Sequence, residues 1–169
     1  PAQAEAMNAF PGKGSQADWK KSQVDYDLAH KYKEQENYKA AVEAFQRAIR
    51  TYPYDDSYYA SRASCYRKLG DNQKAKQDAG RALYLREDPI YWMMVADIAA
   101  DQHDFETCPK AANSALALAA TNSGVYGLIT KMQGKWKRMA TTYGDGWWIT
   151  NQKMKMSELG VSAPDPKPL

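Results

Sequence analysis

The stretch Tyr59–Pro89, YASRASCYRKLGDNQKAKQDAGRALYLREDP, decides the fold. Its first half places Tyr59, Ala63 and Tyr66 three or four residues apart, the spacing of one face of a helix. The pair Gly70-Asp71 interrupts that pattern. Asp71 stands just before a second amphipathic run, where a side-chain oxygen can accept from the free amides of a helix's first turn. Ala79, Ala82 and Leu83 carry that run, and Pro89 marks its end. The stretch reads as two antiparallel helices joined by a tight turn.

Working outward, the same pattern recurs on both sides with a period of 34 residues, and a period of this size points to a repeat architecture. Ala29, Ala63 and Ala96 share one position and Ala48, Ala82 and Ala115 another, so small residues recur where helices must approach closely. Ile49, Leu83 and Leu116 follow directly, Tyr32, Tyr66 and Ala99 share a further position, and Phe45, Ala79 and Ala112 a fourth. Asn37, Asp71 and Asp104 are the equivalent caps. The spacing predicts helices over 22–35 and 38–52, 56–69 and 72–86, and 89–102 and 105–119. These make three repeats, 22–55, 56–88 and 89–122.

The flanks read differently. Residues 1–21 hold Pro11, Gly12 and Gly14 with only scattered apolar side chains, and are expected to form a flexible arm. Tyr126, Ile129, Met132, Trp136 and Met139 recur at helical spacing, so 123–160 is expected to supply a capping helix or degenerate fourth pair, which a stacked array needs. A short helix over 147–159 would pack back through Trp147 and Trp148. Residues 161–169, with three prolines, form a disordered tail.

These residues resemble the tetratricopeptide repeat family, whose 34-residue helix pairs show large-small alternation in the first helix and Ala, aromatic, Ala in the second. The likeness covers about 100 residues, with Tyr59–Pro89 resembling the second repeat of three-repeat co-chaperone modules. Cys108 and Pro109 depart from the pattern in the third repeat, although Pro is tolerated in a first helical turn. The resemblance implies an all-α, right-handed α-solenoid of three helix pairs plus a C-terminal cap, with a concave groove that holds an extended peptide. Carried over by register, that groove presents Tyr26, His30 and Lys33 from repeat one, then Ser57, Ala60, Ser61, Ser64, Arg67 and Lys68 from repeat two. Repeat three adds Met93, Met94, Asp97 and Asp101. Co-chaperone members clamp a C-terminal carboxylate with Lys, Asn and Arg, but Tyr26, His30, Ser61, Ile90 and Met94 stand at the corresponding positions here. A carboxylate-clamp function is therefore not expected.

Composition bounds the chemistry. The 169 residues, 44% hydrophobic and 25% charged, are those of a folded domain, and the net charge of +3 does not mark a nucleic-acid-coating protein. Cys65 and Cys108 cannot form a four-thiolate zinc site and lie on elements too far apart to be bridged. His30 and His103, the two neutral-pH bases, fall in separate places, so no catalytic site is expected. Gly12-Lys13-Gly14-Ser15 lacks the order and preceding strand of a phosphate loop. No metal and no cofactor are expected. The uncharged run from Ala111 to Thr130 holds two Asn, two Ser, two Thr and two Gly, so no membrane span is expected. Pro1 in place of Met leads us to expect that residues upstream have been removed.

The charges are unevenly placed: Glu87 to Thr121 carries six acids and one Lys, while Lys131 to Leu169 carries seven bases and three acids. Two outcomes are open: the acidic repeat and the basic end satisfy each other, or Asp97 and Asp101 draw a ligand with basic and apolar residues. The expected function is a non-catalytic adaptor that holds a protein or peptide in the groove; no nucleic-acid partner is expected. The alternative is a structural subunit of a larger assembly, contacting its partner through the Trp147-Trp148 tail or the convex face.

Overall fold

The computed structural model describes residues 9–142 and 151–161. Among them are seven α-helices and no strand: α1 (Gln16–Glu34), α2 (Tyr38–Thr51), α3 (Asp56–Lys68), α4 (Asn72–Leu85), α5 (Pro89–Asp101), α6 (Thr107–Leu118) and α7 (Gly124–Thr142). One 3-10 turn, Met156–Leu159, follows. The described residues form an all-α solenoid. Packing is densest within the pairs α1–α2, α3–α4 and α5–α6, and successive pairs join through α2 on α3 and α4 on α5.

Alanine sets the spacing. Ala29, Ala41, Ala44, Ala48, Ala63, Ala75, Ala79, Ala82, Ala96, Ala111, Ala112 and Ala115 are all fully buried. Without bulky side chains at these points the helix backbones pack closely, as a dense interior requires. The aromatic side chains Phe45, Tyr58 and Trp92 fill the volume between.

The three turns within the pairs are built alike. The amides of Asn37, Asp71 and Asp104 reach back to the carbonyls of Tyr32, Tyr66 and Ala99 at 2.9, 2.9 and 2.8 Å. That bond requires a left-handed residue just before the cap. Glu36, Gly70 and His103 occupy this position with φ of 58°, 80° and 56°. The cap side chains then restart each second helix: Asn37 accepts from Ala40, Asp71 from Lys74 and Asp104 from Thr107. Helix α6 begins at Thr107 rather than 105 and carries Pro109, which is fully buried, in its first turn.

The N-terminal arm is shorter than expected. Ser15 accepts from the Asp18 amide, and α1 starts at Gln16, six residues ahead of the expected boundary. Trp19 is held because its indole N–H donates to Asp55 at 2.9 Å, while Ser22 shares a 2.6 Å hydrogen bond with the Tyr58 hydroxyl. Phe10 packs against Trp19 and Tyr52, and the Tyr52 hydroxyl donates to the Lys13 carbonyl. The anchoring partners are polar or distant in sequence, so apolar periodicity missed them. Residues 1–8 lie outside the described residues.

Helix α7 lies over α5 and α6, with Ile129 and Trp136 fully buried. The expected helix over 147–159 is not a helix where it is described: 151–155 has no regular secondary structure and only 156–159 makes a turn. Trp147, Trp148 and the segment 162–169 lie outside the described residues. No helix among the described residues is long and apolar enough to cross a membrane.

Candidate partner-binding groove

The odd-numbered helices α1, α3 and α5 meet one another through long side chains, and these define a furrow. At the α1–α3 end, the Tyr26 ring lies 4.9 Å from Tyr58 and 4.5 Å edge-on from His30, which in turn stands 5.3 Å from Phe45. The Tyr26 hydroxyl faces Ser57 and Ser61 of α3, and burial raises its pKa. His30 Nε2 is buried without a hydrogen-bond partner. Burial, and secondarily Lys33, lowers the pKa of this imidazole, so the ring is neutral at pH 7. Tyr26, His30 and Ser61 thus form an aromatic and hydroxyl surface.

At the α3–α5 end, Ala63, Ser64, Arg67, Lys68, Met94 and Asp101 line an open concavity. Met94 lines it, and Met93, one residue earlier, does not, although both pack on the main core. Lys33 sits close enough to Cys65 to lower that thiol's pKa slightly against the dominant effect of burial, which raises it.

Arg67 decides the electrostatics. Its guanidinium bonds Asp97 and both oxygens of Asp101, with Nη2 to Asp101 Oδ1 at 3.1 Å. The remaining Asp97 oxygen accepts from the Trp136 indole N–H at 3.0 Å. Arg67 from repeat two, Asp97 and Asp101 from repeat three, and Trp136 from α7 therefore make one continuous polar tie across the furrow. The expectation of two acidic side chains waiting for a basic ligand is corrected: both carboxylates already hold an arginine. Asp88 pairs with Arg86 and Glu106 with Lys110, so cations of repeats two and three carry these pairings. The helical spacing marks Trp136 only as a capping residue; its bond to Asp97, 39 positions away, has no local signal. Among the described residues no group of His, Cys, Asp and Glu could hold a metal ion. Cys65 and Cys108 are both free and buried.

The family model described as tetratricopeptide repeat matches residues 26–55 and 56–89. Residues 26–89 thus match two tetratricopeptide repeats. The helix pairs superpose on solved structures of the same architecture. The Arabidopsis OM64 TPR domain matches with a TM-score of 0.61 and 18% identity over 70% of this chain and 98% of that one. PcrH from Pseudomonas aeruginosa gives 0.63 and 18%, covering 76% of this chain and 96% of that one. The Yersinia enterocolitica type III secretion chaperone SycD, in complex with a peptide of the translocator YopD, gives 0.64 and 15%, covering 72% and 94%. At these identities the likeness is one of fold. No curated protein matches the sequence.

Proposed function

We propose that this repeat array is a non-catalytic adaptor that holds an extended segment of a partner protein along α1, α3 and α5. The observation that carries the reading is the concavity of Ser64, Lys68 and Met94 between α3 and α5, together with the aromatic and hydroxyl cluster of Tyr26, His30 and Ser61 on α1 and α3. Solenoids present such extended concave surfaces for binding. Fold relatives with bound peptides support the reading, among them SycD with its YopD peptide.

The chemistry of the furrow narrows the ligand. Arg67 satisfies Asp97 and Asp101, while Lys33 and Lys68 make no ion pair among the described residues. One guanidinium against two carboxylates leaves the tie one net negative charge and Lys33 and Lys68 add two positive ones, so these five side chains sum to one positive charge, which favours a segment with apolar and neutral or acidic side chains over a basic one. Exposed pairs of this kind contribute about 0–1 kcal/mol each and act on partner choice more than on affinity.

The test is affinity capture from source-cell lysate, comparing the wild-type chain with the double variant Ser64→Arg, Met94→Glu after equal helicity is established. Both positions line the concavity, and neither belongs to the Arg67 tie. A protein held by the wild type and lost by the variant supports the furrow as the binding surface. Equal capture by both refutes it.

A further inference from the structure

On the side of the molecule formed by α4 and α6, the chain's own residues 151–161 lie in a channel that has the features of a peptide site. The backbone of this strap is read directly. The Met154 amide donates to the Lys110 carbonyl at 3.1 Å, the Ser114 hydroxyl donates to the Met154 carbonyl at 2.7 Å, and the Asn113 amide donates to the Gln152 carbonyl at 2.9 Å. Alternate side chains then enter the channel: Met154 and Leu159 are buried, and Met156 and Val161 pack on the same core. Lys153 and Lys155, on either side of Met154, stay exposed. Main-chain bonds for affinity, with alternate apolar side chains for selectivity, is the way extended peptides are recognised.

The receptor side is shaped for this. Gly80 of α4 is buried, and a Cβ there would stand 2.8 Å from one Val161 methyl, 3.2 Å from the other and 3.5 Å from Leu159 Cβ. All three nearest atoms belong to the strap. Glycine in the interior of a helix costs about 1 kcal/mol relative to alanine, and the second helices of the array otherwise carry alanine at their contact points. Gly80 is thus a cradle, shaped to admit the returning strap. The strap adds no helix to a repeat, and α4 and α6 supply every receptor group named above.

We propose that this channel is a second, self-standing binding site, whose ligand is an extended segment with apolar residues at relative positions one, three, six and eight. The strap fills those positions with Met154, Met156, Leu159 and Val161, and so acts as a tethered ligand that a partner segment of the same pattern displaces. The site is distinct from the furrow on α1, α3 and α5 and does not depend on its function. A tethered ligand of this kind competes at an effective concentration of about millimolar.

The experiment uses the whole chain and a fluorescent peptide of sequence 151–161 as probe. The double variant Met154→Asp, Leu159→Asp places two charges in the apolar channel, and its release of the strap is read as faster hydrogen exchange at the residue 154 amide. The released chain is expected to bind the probe at least about tenfold more tightly than the wild type, whose site is occupied. Adding Gly80→Ala to the released chain is expected to abolish that gain, since the cradle is filled. Equal probe binding by wild-type and released chains overturns the proposal, because the channel would then work only as covalently linked tertiary structure. A gain that survives Gly80→Ala overturns it as well, by placing the probe elsewhere. A strap still protected in the double variant would show that apolar side chains do not hold it, with the same consequence.

Discussion

Removing either half of the ion pair between Arg62 and Asp78 should cost far more stability than removing both. Arg62 of α3 grips Asp78 of α4 with Nε to Oδ2 at 2.7 Å and Nη2 to Oδ1 at 2.8 Å, and Arg81 adds a third bond at 2.8 Å. The Asp78 side chain is 0% exposed, the Arg62 side chain 13% and the Arg81 side chain 34%. Asp78→Ala leaves Arg62 buried without its acceptor, whereas Arg81 can turn to water; a charge stranded in this way costs about 3–5 kcal/mol. Arg62→Met strands Asp78 instead, but Arg81 remains beside it, so the loss should be the smaller of the two, about 2–3 kcal/mol. The double variant strands nothing. It keeps an apolar stem over the Tyr59 and Tyr66 rings, so it should lie within about 1–2 kcal/mol of the wild type. Urea unfolding of the four proteins, followed by helical circular dichroism, gives the coupling directly, and at least about 3 kcal/mol is expected. Against a typical stability of about 5–15 kcal/mol, each single change should shift the midpoint conspicuously. Additive losses in the double variant, or single losses below about 1 kcal/mol, would refute the account of a stranded charge.

Further predictions follow from the turns, the furrow and the thiols. An added Cβ at Gly70 meets nothing within 4 Å, so Gly70→Ala isolates the cost of a left-handed backbone and should destabilise the chain by about 1 kcal/mol in urea. Glu36→Gly at the equivalent turn should stabilise it by about 0.5–1 kcal/mol, and a loss there would contradict the shared turn geometry. His30 has a folded pKa below its usual 6.5, so the unfolded chain takes up the proton first as the pH drops. Its contribution is intact above pH 6.5 and is lost on acidification, and the urea midpoint of the wild type should fall more between pH 6.5 and 5 than that of His30→Phe. Burial raises the pKa of both Cys65 and Cys108, so a disulfide reagent should modify the native chain at least about a hundredfold more slowly than the urea-unfolded chain. Rapid modification of either thiol without urea would show the core to be open at that point.

Much of the fold was legible because its determinants are local. The caps Asn37, Asp71 and Asp104 act on amides three residues away, and the αL residue before each belongs to the same turn. The recurring alanines state where helices touch, and the six helices of the three pairs lie within two residues of the periodic reading at all but the first boundary. That first boundary failed because Trp19 and Ser22 are anchored by Asp55 and Tyr58, 36 residues away.

The site was legible only as a list of side chains that share a helix face. By itself the sequence determined that Tyr26, His30, Ser61, Ser64, Arg67, Asp97 and Asp101 recur on first helices, since face membership follows from a period of 3.6. Which of them remain available was decided by tertiary structure. Arg67 is exhausted by two aspartates 30 and 34 positions on, and Asp97 is closed by an indole from α7. Gly80 likewise looks in the sequence like a weak point in a helix, and only the return of Val161 and Leu159 shows it to be a cradle. Repeat spacing and caps are encoded in the few residues around each turn, whereas the pairing of charges and the docking of a strap depend on where separate helices come to rest. That is a property of the packed array, which no single stretch of the chain contains.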